Sequence, residues 1–283
     1  MQSASRSELE ALLAGDAPYG DLTTQALGIG FMAAQMAFSS RDPMVAAEVE
    51  SAAAVLALAG CEVDAHVRSG DALAAGTPIL TAKGSAAAVH CGWKVAQTLI
   101  ETWSGVATAA RAIVDAARSV APNIAVACTR KNTPGTKSFA VRAVYAGGAS
   151  MHRLGLSESV LVFPEHRAFL GFEPLGEMVA RLRRAAPEKK LVIEATSLDD
   201  ALAACVAGFD VVQAEKFTPA EIASLVSERA RVARRPLIAA AGGVTIDNAA
   251  AYARAGADIL VTSMPYFARP RDVTVRINPT TLA

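Results

Sequence analysis

The stretch "LVIEATSLDDALAACVAGFDVVQAEKF", residues 191–217, decides the fold. "LVIEAT" (191–196) is a short apolar run bounded by polar residues, and "SLDDALAACVAG" has the composition of a helix. "DVVQAE" (210–215) then repeats the first texture. Strand runs that stay apolar rather than alternating are buried on both faces. With a helix between them they imply a parallel sheet with right-handed crossovers.

The same unit recurs on either side. "IAVACT" (124–129), "SVLVF" (159–163), "PLIAAAGG" (236–243) and "DILVTS" (258–263) have the same β-rich texture. Helical segments such as "EPLGEMVARLRRAA", "TPAEIASLVSERARVA" and "TIDNAAAYARAG" lie between most of them. Six or seven such units in roughly 150 residues fit a complete or open α/β barrel better than a flat doubly wound sheet, and no Gly-x-Gly-x-x-Gly fingerprint favours the latter. Upstream the texture changes. Residues 1–107 mix a short helix (Ser7–Ala14), strand-like "GFMAAQMAFSS", a helical "SAAAVLALAG" and the turn-punctuated "VRSGDALAAGTPILTAKGS". A long helical stretch from Val89 to about Ser119 leads out of this region. The alternating tail "RDVTVRI" is expected to rejoin it, giving domains of 1–107 with 270–283, and 108–269.

Composition bounds the function. Of 283 residues 52% are hydrophobic and 19% charged, and 27 Lys+Arg balance 27 Asp+Glu. That balance argues for a soluble globular protein and against a nucleic-acid partner, which calls for a basic surplus or stripe. Cys61, Cys91, Cys128 and Cys205 are dispersed, so they suit neither a zinc site nor a secreted disulfide framework. No apolar leader opens the sequence and no run approaches the ~18 residues of a membrane span. The expectation is a reduced, cytoplasmic location without a membrane partner.

In α/β barrels the chemistry gathers at the C-terminal ends of the strands. Here those ends carry Arg130 and Lys131, then Phe163, Pro164, Glu165 and His166, then Glu194, then Glu215 and Lys216. Ala241, Gly242 and Gly243 follow, and Thr262 and Ser263 come last, while His152 and Arg153 sit just before the second run. Cations come early, carboxylates in the middle and small residues last. Paired glycines ahead of a helix N-terminus suit a phosphate, although a plain left-handed turn also explains them. Two carboxylates ending apolar strands need a metal, a cation or ligand hydroxyls. Mg²⁺ or a sugar fits, and so does an ion pair with Lys131 or Lys216. Arginine offers a planar fork to carboxylate or phosphate, and lysine a point charge. His66 and His90 read as structural, and Trp93 and Trp103 as core or interface.

The ordered set "YGDLTT", "WSGVAT", "TRKNTPG", "HRLGL", "IEATSLDDA", "AEKF" and "AAGG" resembles quinolinate phosphoribosyltransferase, also called nicotinate-nucleotide pyrophosphorylase (carboxylating), over nearly the whole chain. The resemblance implies an α/β fold made of an N-terminal α/β sandwich and a C-terminal open α/β barrel, in a homodimer with shared active sites or a higher oligomer of dimers. Carried over by position, Arg130, His152 and Arg153 fall where the family holds the carboxylates of its pyridine acid, and Lys131 where it contacts phosphoribosyl pyrophosphate (PRPP). Glu194 and Glu215 fall on carboxylates that serve the ribose hydroxyls and Mg²⁺. Gly242, Gly243 and the Thr262–Ser263 loop fall on the 5′-phosphate site, and Lys94 on the cation that reaches across the dimer.

The departures are as informative. Phe163 stands where the family has a lysine, so a cation opposite a substrate carboxylate has become an apolar ring. Lys94 replaces an arginine, Ala241 a serine, Ser263 a glycine, and Glu215 a shorter aspartate. With "SESVLVFPEHRAF" these changes resemble the molybdenum-transport-associated ModD-type branch of the family. The expected activity is Mg²⁺-dependent transfer of phosphoribosyl from PRPP to a heteroaromatic acid at an altered acceptor site, serving NAD synthesis or molybdenum metabolism. The alternative is a catalytically silent PRPP or nucleotide sensor.

Overall fold

The computed structural model describes residues 3–232 and 234–280, so the last three positions of the expected 270–283 tail lie outside the described residues. Along the chain α1 (Arg6–Asp16) and α2 (Leu22–Ala26) precede β1 (Ala33–Ser40) and β2 (Met44–Val45). Then come α3 (Val49–Leu58), β3 (Glu62–Ala65), β4 (Ala72–Leu73), β5 (Pro78–Ser85) and the long α4 (Ala86–Arg118). The alternating part opens with β6 (Ala125–Cys128), α5 (Lys137–Ala146), β7 (Ser150–Met151) and β8 (Val160–Val162). It continues through α6 (Pro164–Arg167), α7 (Leu175–Ala185), β9 (Leu191–Ala195), α8 (Leu198–Ala207) and β10 (Val211–Glu215). Last are α9 (Pro219–Arg229), β11 (Leu237–Ala241), α10 (Ile246–Arg254), β12 (Ile259–Thr262) and β13 (Val273–Pro279).

Two compact units result. One takes residues up to Arg111 with 133–148 and those from Pro265 onward, and the other takes 112–132 and 149–264. The first is built on an antiparallel sheet in the order β13-β1-β5-β3. Along β1 burial alternates, with Ala34, Met36, Phe38 and Ser40 inward, as a sheet with one covered face requires. The strand read from "RDVTVRI" is β13, paired to β1 from Ala34↔Pro279 to Ser40↔Val273. Glu101 on α4 holds the start of β13. Its carbonyl accepts from Arg271 N at 2.9 Å, and its Oε1 accepts from Val273 N at 3.1 Å. A Cβ on Gly105 would lie 2.4 Å from the Arg269 carbonyl, so the "WSG" glycine lets the α4 backbone touch the returning chain.

The second unit is a parallel sheet of seven strands in the order β7-β6-β12-β11-β10-β9-β8, flanked by its crossover helices. Each crossover has local causes. Ser197 caps α8 by accepting from Asp200 N at 3.2 Å, and Gly208, at φ 95°, turns the chain out of that helix. Asp210, just ahead of β10, accepts from Leu191 N at 2.7 Å, from Arg183 at 2.7 Å and from Arg234 at 2.6 Å. Asp258, just ahead of β12, accepts from Ile238 N at 2.8 Å and also takes Arg229. Carboxylates thus brace the end of the sheet opposite the strand C-termini. The large buried side chains Ile193, Val212, Ile238 and Leu260 occupy one face.

The sheet is an open barrel, with β7 and β8 as its edges. At the C-terminal end the edges come close, the Arg153 guanidinium standing 5.4 Å from the centre of the Phe163 ring. Strand β7 is an element that the apolar runs do not announce. Its two residues are too few to carry a periodic signal.

Candidate active site

Register decides which side chains meet. Glu194 pairs with Gln213 and Glu215 with Ala241. Phe163 lies one step beyond the Val162↔Ile193 pair, level with Glu194. Because side chains alternate along a strand, Glu194, Gln213, Glu215 and Ala241 share the inner face with Val192, Val211, Ala239, Ile259 and Val261, which form an apolar cluster below them. Ser263 continues the parity of Val261, and Thr129 that of Ala127, so both belong to the same face. His152 follows β7, its N–H donating to the Cys128 carbonyl at 2.8 Å. Read across the strand ends, the mouth runs from His152 and Arg153 to Arg130 and Lys131, then Ser263, Gly242 and Gly243, Glu215, Glu194 and Phe163.

Among the described residues no carboxylate forms an ion pair with Arg130, Lys131 or Arg153. Arg153 is only 8% exposed, and burial followed by the Arg130 charge pulls its pKa down. Burial, then Arg153, does the same for His152, which keeps that imidazole neutral near pH 7. These groups are held at a cost that an anion would relieve. Cys128, at the end of β6, is a buried thiol whose pKa burial pushes up to about 12, so it is no nucleophile.

The carboxylates face the converse problem. Burial and the Glu215 charge raise the Glu194 pKa, with Glu165 adding to the repulsion, while Gln213 and Lys131 oppose it. Glu194 Oε2 accepts from Gln213 Nε2 at 2.7 Å. Glu215 lies against the backbone of Gly242, where a Cβ would sit 2.5 Å from Glu215 Oε1. Gly242 and Gly243 have φ of 81° and 110°, and Lys216 also adopts the left-handed region at φ 61°, a conformation unfavourable for a residue with a Cβ. The loop then enters α10, where Asn248 accepts from Thr245 N at 2.8 Å and donates to the Gly243 carbonyl at 2.9 Å. A glycine turn at a helix N-terminus suits an anion.

At the far edge Phe163 closes the mouth. Its ring stacks on His166 at 5.7 Å with 20° between planes, and its N–H donates to His166 Nδ1 at 2.9 Å. In that hydrogen bond His166 Nδ1 is the acceptor.

Of the residues expected from sequence, the second unit brings together Arg130, Lys131, His152, Arg153, Phe163, Glu194, Glu215, Ala241, Gly242, Gly243 and Ser263 along one row of strand ends. Thr262 is turned away. It is 3% exposed and its hydroxyl donates to the Val244 carbonyl at 2.7 Å. Lys94 belongs to the first unit, exposed on α4, where its amine donates to Gln97 Oε1 at 3.1 Å and lies 4.3 Å over the Trp93 ring. Gln213 was not singled out from sequence. The available signal was one amide inside the otherwise apolar "DVVQAE".

Comparison with known proteins finds relatives along nearly the whole chain. The family model for the N-terminal domain of quinolinate phosphoribosyl transferase matches residues 21–104, and that for its C-terminal domain matches residues 106–276. The chain is 47% identical over 248 residues to the Rhodobacter capsulatus protein named "Putative pyrophosphorylase ModD", covering 88% of this chain and 95% of that one. It is 31% identical over 262 residues to the nicotinate-nucleotide pyrophosphorylase (carboxylating) of Mycobacterium leprae, covering 91% of each. The crystal structure of NadC from Streptococcus pyogenes shares its fold with a TM-score of 0.88, at 24% identity, over 97% of this chain and 96% of that one. The described helices include none long and apolar enough to cross a membrane. The chain belongs to the quinolinate phosphoribosyltransferase family, in which two matched domains span nearly its whole length.

Proposed function

We propose that the chain transfers the phosphoribosyl group of PRPP to a ring nitrogen of an acidic heteroaromatic acceptor. The observation that carries this reading is the division of charge across one barrel mouth. Cations without ion-pair partners among the described residues (Arg130, Lys131, Arg153) stand on one side, and two crowded carboxylates (Glu194, Glu215) stand on the other. A sugar bearing two anionic groups and free hydroxyls, meeting a carboxylated ring, answers both sides at once.

In the reaction the bond from C1 to pyrophosphate breaks with its electron pair leaving on oxygen, and the ring nitrogen's lone pair forms the new bond to C1. The chain supplies position and charge rather than a nucleophile. Arg130, His152 and Arg153 hold the acceptor's carboxylate, Lys131 faces the pyrophosphate, and Glu194 and Glu215 take the ribose hydroxyls and steady the cationic sugar. Gly242, Gly243 and Ser263 receive the 5′-phosphate. Glu194 and Glu215 also fit Mg²⁺, since they are hard oxygen donors with no ion pair among the described residues, and the two carry mutual repulsion. Bound there, Mg²⁺ would neutralise charge on the leaving pyrophosphate. Lys94 of a second copy would complete the acceptor pocket in a homodimer.

Phe163 supports an acceptor with one carboxylate fewer than quinolinate, because an uncharged ring stands where the family resemblance implies a lysine opposite a substrate carboxylate. Pyrophosphate release measured across pyridine and azole acids tests both parts. Wild type should favour monocarboxylates, and Phe163→Lys should raise kcat/KM for quinolinate about tenfold or more. Equal turnover of quinolinate by both proteins refutes the role given to Phe163. Release with no acid in a broad panel refutes the transferase.

A further inference from the structure

Gln213 is a polar side chain in an apolar place. It is 5% exposed, on the inner face of β10, between Glu194 of β9 and Ala239 of β11 in register. Its Nε2 donates to Glu194 Oε2 at 2.7 Å, and its Oε1 is buried with no hydrogen-bond partner among the described residues. The reverse amide orientation would set two acceptors against each other, so the charge on Glu194 dictates which end of Gln213 is satisfied. An unpaired buried carbonyl is unfavourable for folding, and an apolar side chain of similar shape would avoid it. The amide therefore makes poor sense as a structural element.

We propose that Gln213 is a positioning residue for the sugar-binding carboxylate, fixing Glu194 so that a single oxygen faces the ligand. The inference rests on the reading of Glu194 as a carboxylate that receives PRPP. With Oε2 oriented by Gln213, Oε1 of Glu194 is the oxygen presented to a ribose hydroxyl or to Mg²⁺. Without the clamp the carboxylate can rotate, and Glu215 and Glu165, which repel it, would drive it off the productive position. Gln213 does not touch the ligand itself, since its free oxygen is buried.

A structural role and a positioning role predict opposite outcomes for Gln213→Met, which keeps the volume and removes both polar ends. Calorimetric titration of wild type and variant with PRPP and Mg²⁺, beside thermal melts of both, separates them. Positioning predicts a melting temperature equal to or above wild type with PRPP affinity weakened about 10–100-fold, the usual scale for a residue that orients a ligand-holding carboxylate. Gln213→Glu, which loses the donor, should weaken binding too. A Gln213→Met protein that binds PRPP within twofold of wild type overturns the proposal, and so does one that melts well below wild type. Absence of PRPP binding by wild type itself overturns the transferase reading, and the inference with it.

Discussion

Only a hydrogen fits at position 242. A Cβ there would meet Glu215 Oε1 at 2.5 Å and Lys216 Cγ at 2.8 Å, whereas at Gly243 it would meet nothing within 4 Å. Both glycines have positive φ, so an alanine at either carries backbone strain of about 1–2 kcal/mol. The pair thereby separates strain from displacement. Gly243→Ala should lose that stability and keep most PRPP binding, while Gly242→Ala should lose similar stability and weaken binding about tenfold or more by pushing Glu215 aside. Chemical denaturation and calorimetry on both variants check this, and equal binding losses would deny Glu215 its place. "AAGG" is legible in sequence as a turn, but the glycine that backs a carboxylate depends on the β10–β11 register, which is a long-range property. Thr262 and Ser263 were indistinguishable for the same reason, since parity on β12 sends one to Val244 and the other inward.

At the scale of elements, the crossovers hang on carboxylates placed just ahead of strands. Asp210 joins the N-terminus of β9 to Arg183 and Arg234 with a side chain 13% exposed. Burial pushes its pKa up, but the Arg183 hydrogen bond, the Leu191 N–H and the charges of both arginines outweigh it and leave the pKa below the ordinary 3.8. A carboxyl whose folded pKa is lowered stabilises the fold above its unfolded value and loses that contribution as pH falls through the folded one. Asp210→Asn should therefore cost about 1–3 kcal/mol at pH 7. The gap to wild type should close as pH drops below about 3.8 in denaturant titrations. A gap independent of pH would assign the loss to packing. Six strands of the barrel were legible because each is a short apolar run between helical segments. The two residues of β7 and the four of α6 lack the length for any periodic signal, and tertiary contacts make them.

At the scale of the whole molecule, the proposed second copy can be tested without a structure of the pair. Lys94→Ala and Arg130→Ala proteins, each impaired alone, should regain up to about a quarter of the wild-type sites when mixed dimers form, because one site in such a dimer keeps both cations. Pyrophosphate release before and after subunit exchange measures this, and no recovery in proven mixed dimers would place the two cations in separate functions. The two domain textures were readable from residue patterns. The insertion of residues 133–148 into the first unit was not, because only three-dimensional contacts assign α5 to a side.

The pairing of β13 with β1 also constrains how the protein is made. Seven residue pairs join positions 34–40 to positions 273–279, and the whole of the second unit lies between them in the chain. During synthesis the ribosome therefore delivers a complete barrel sheet while the first unit's sheet still lacks an edge strand. That first sheet closes only through contacts of very large sequence separation, the kind that form slowly. Until then β1 presents a free edge to any other nascent chain, so chaperone dependence and misassembly should concentrate in the first unit rather than in the barrel.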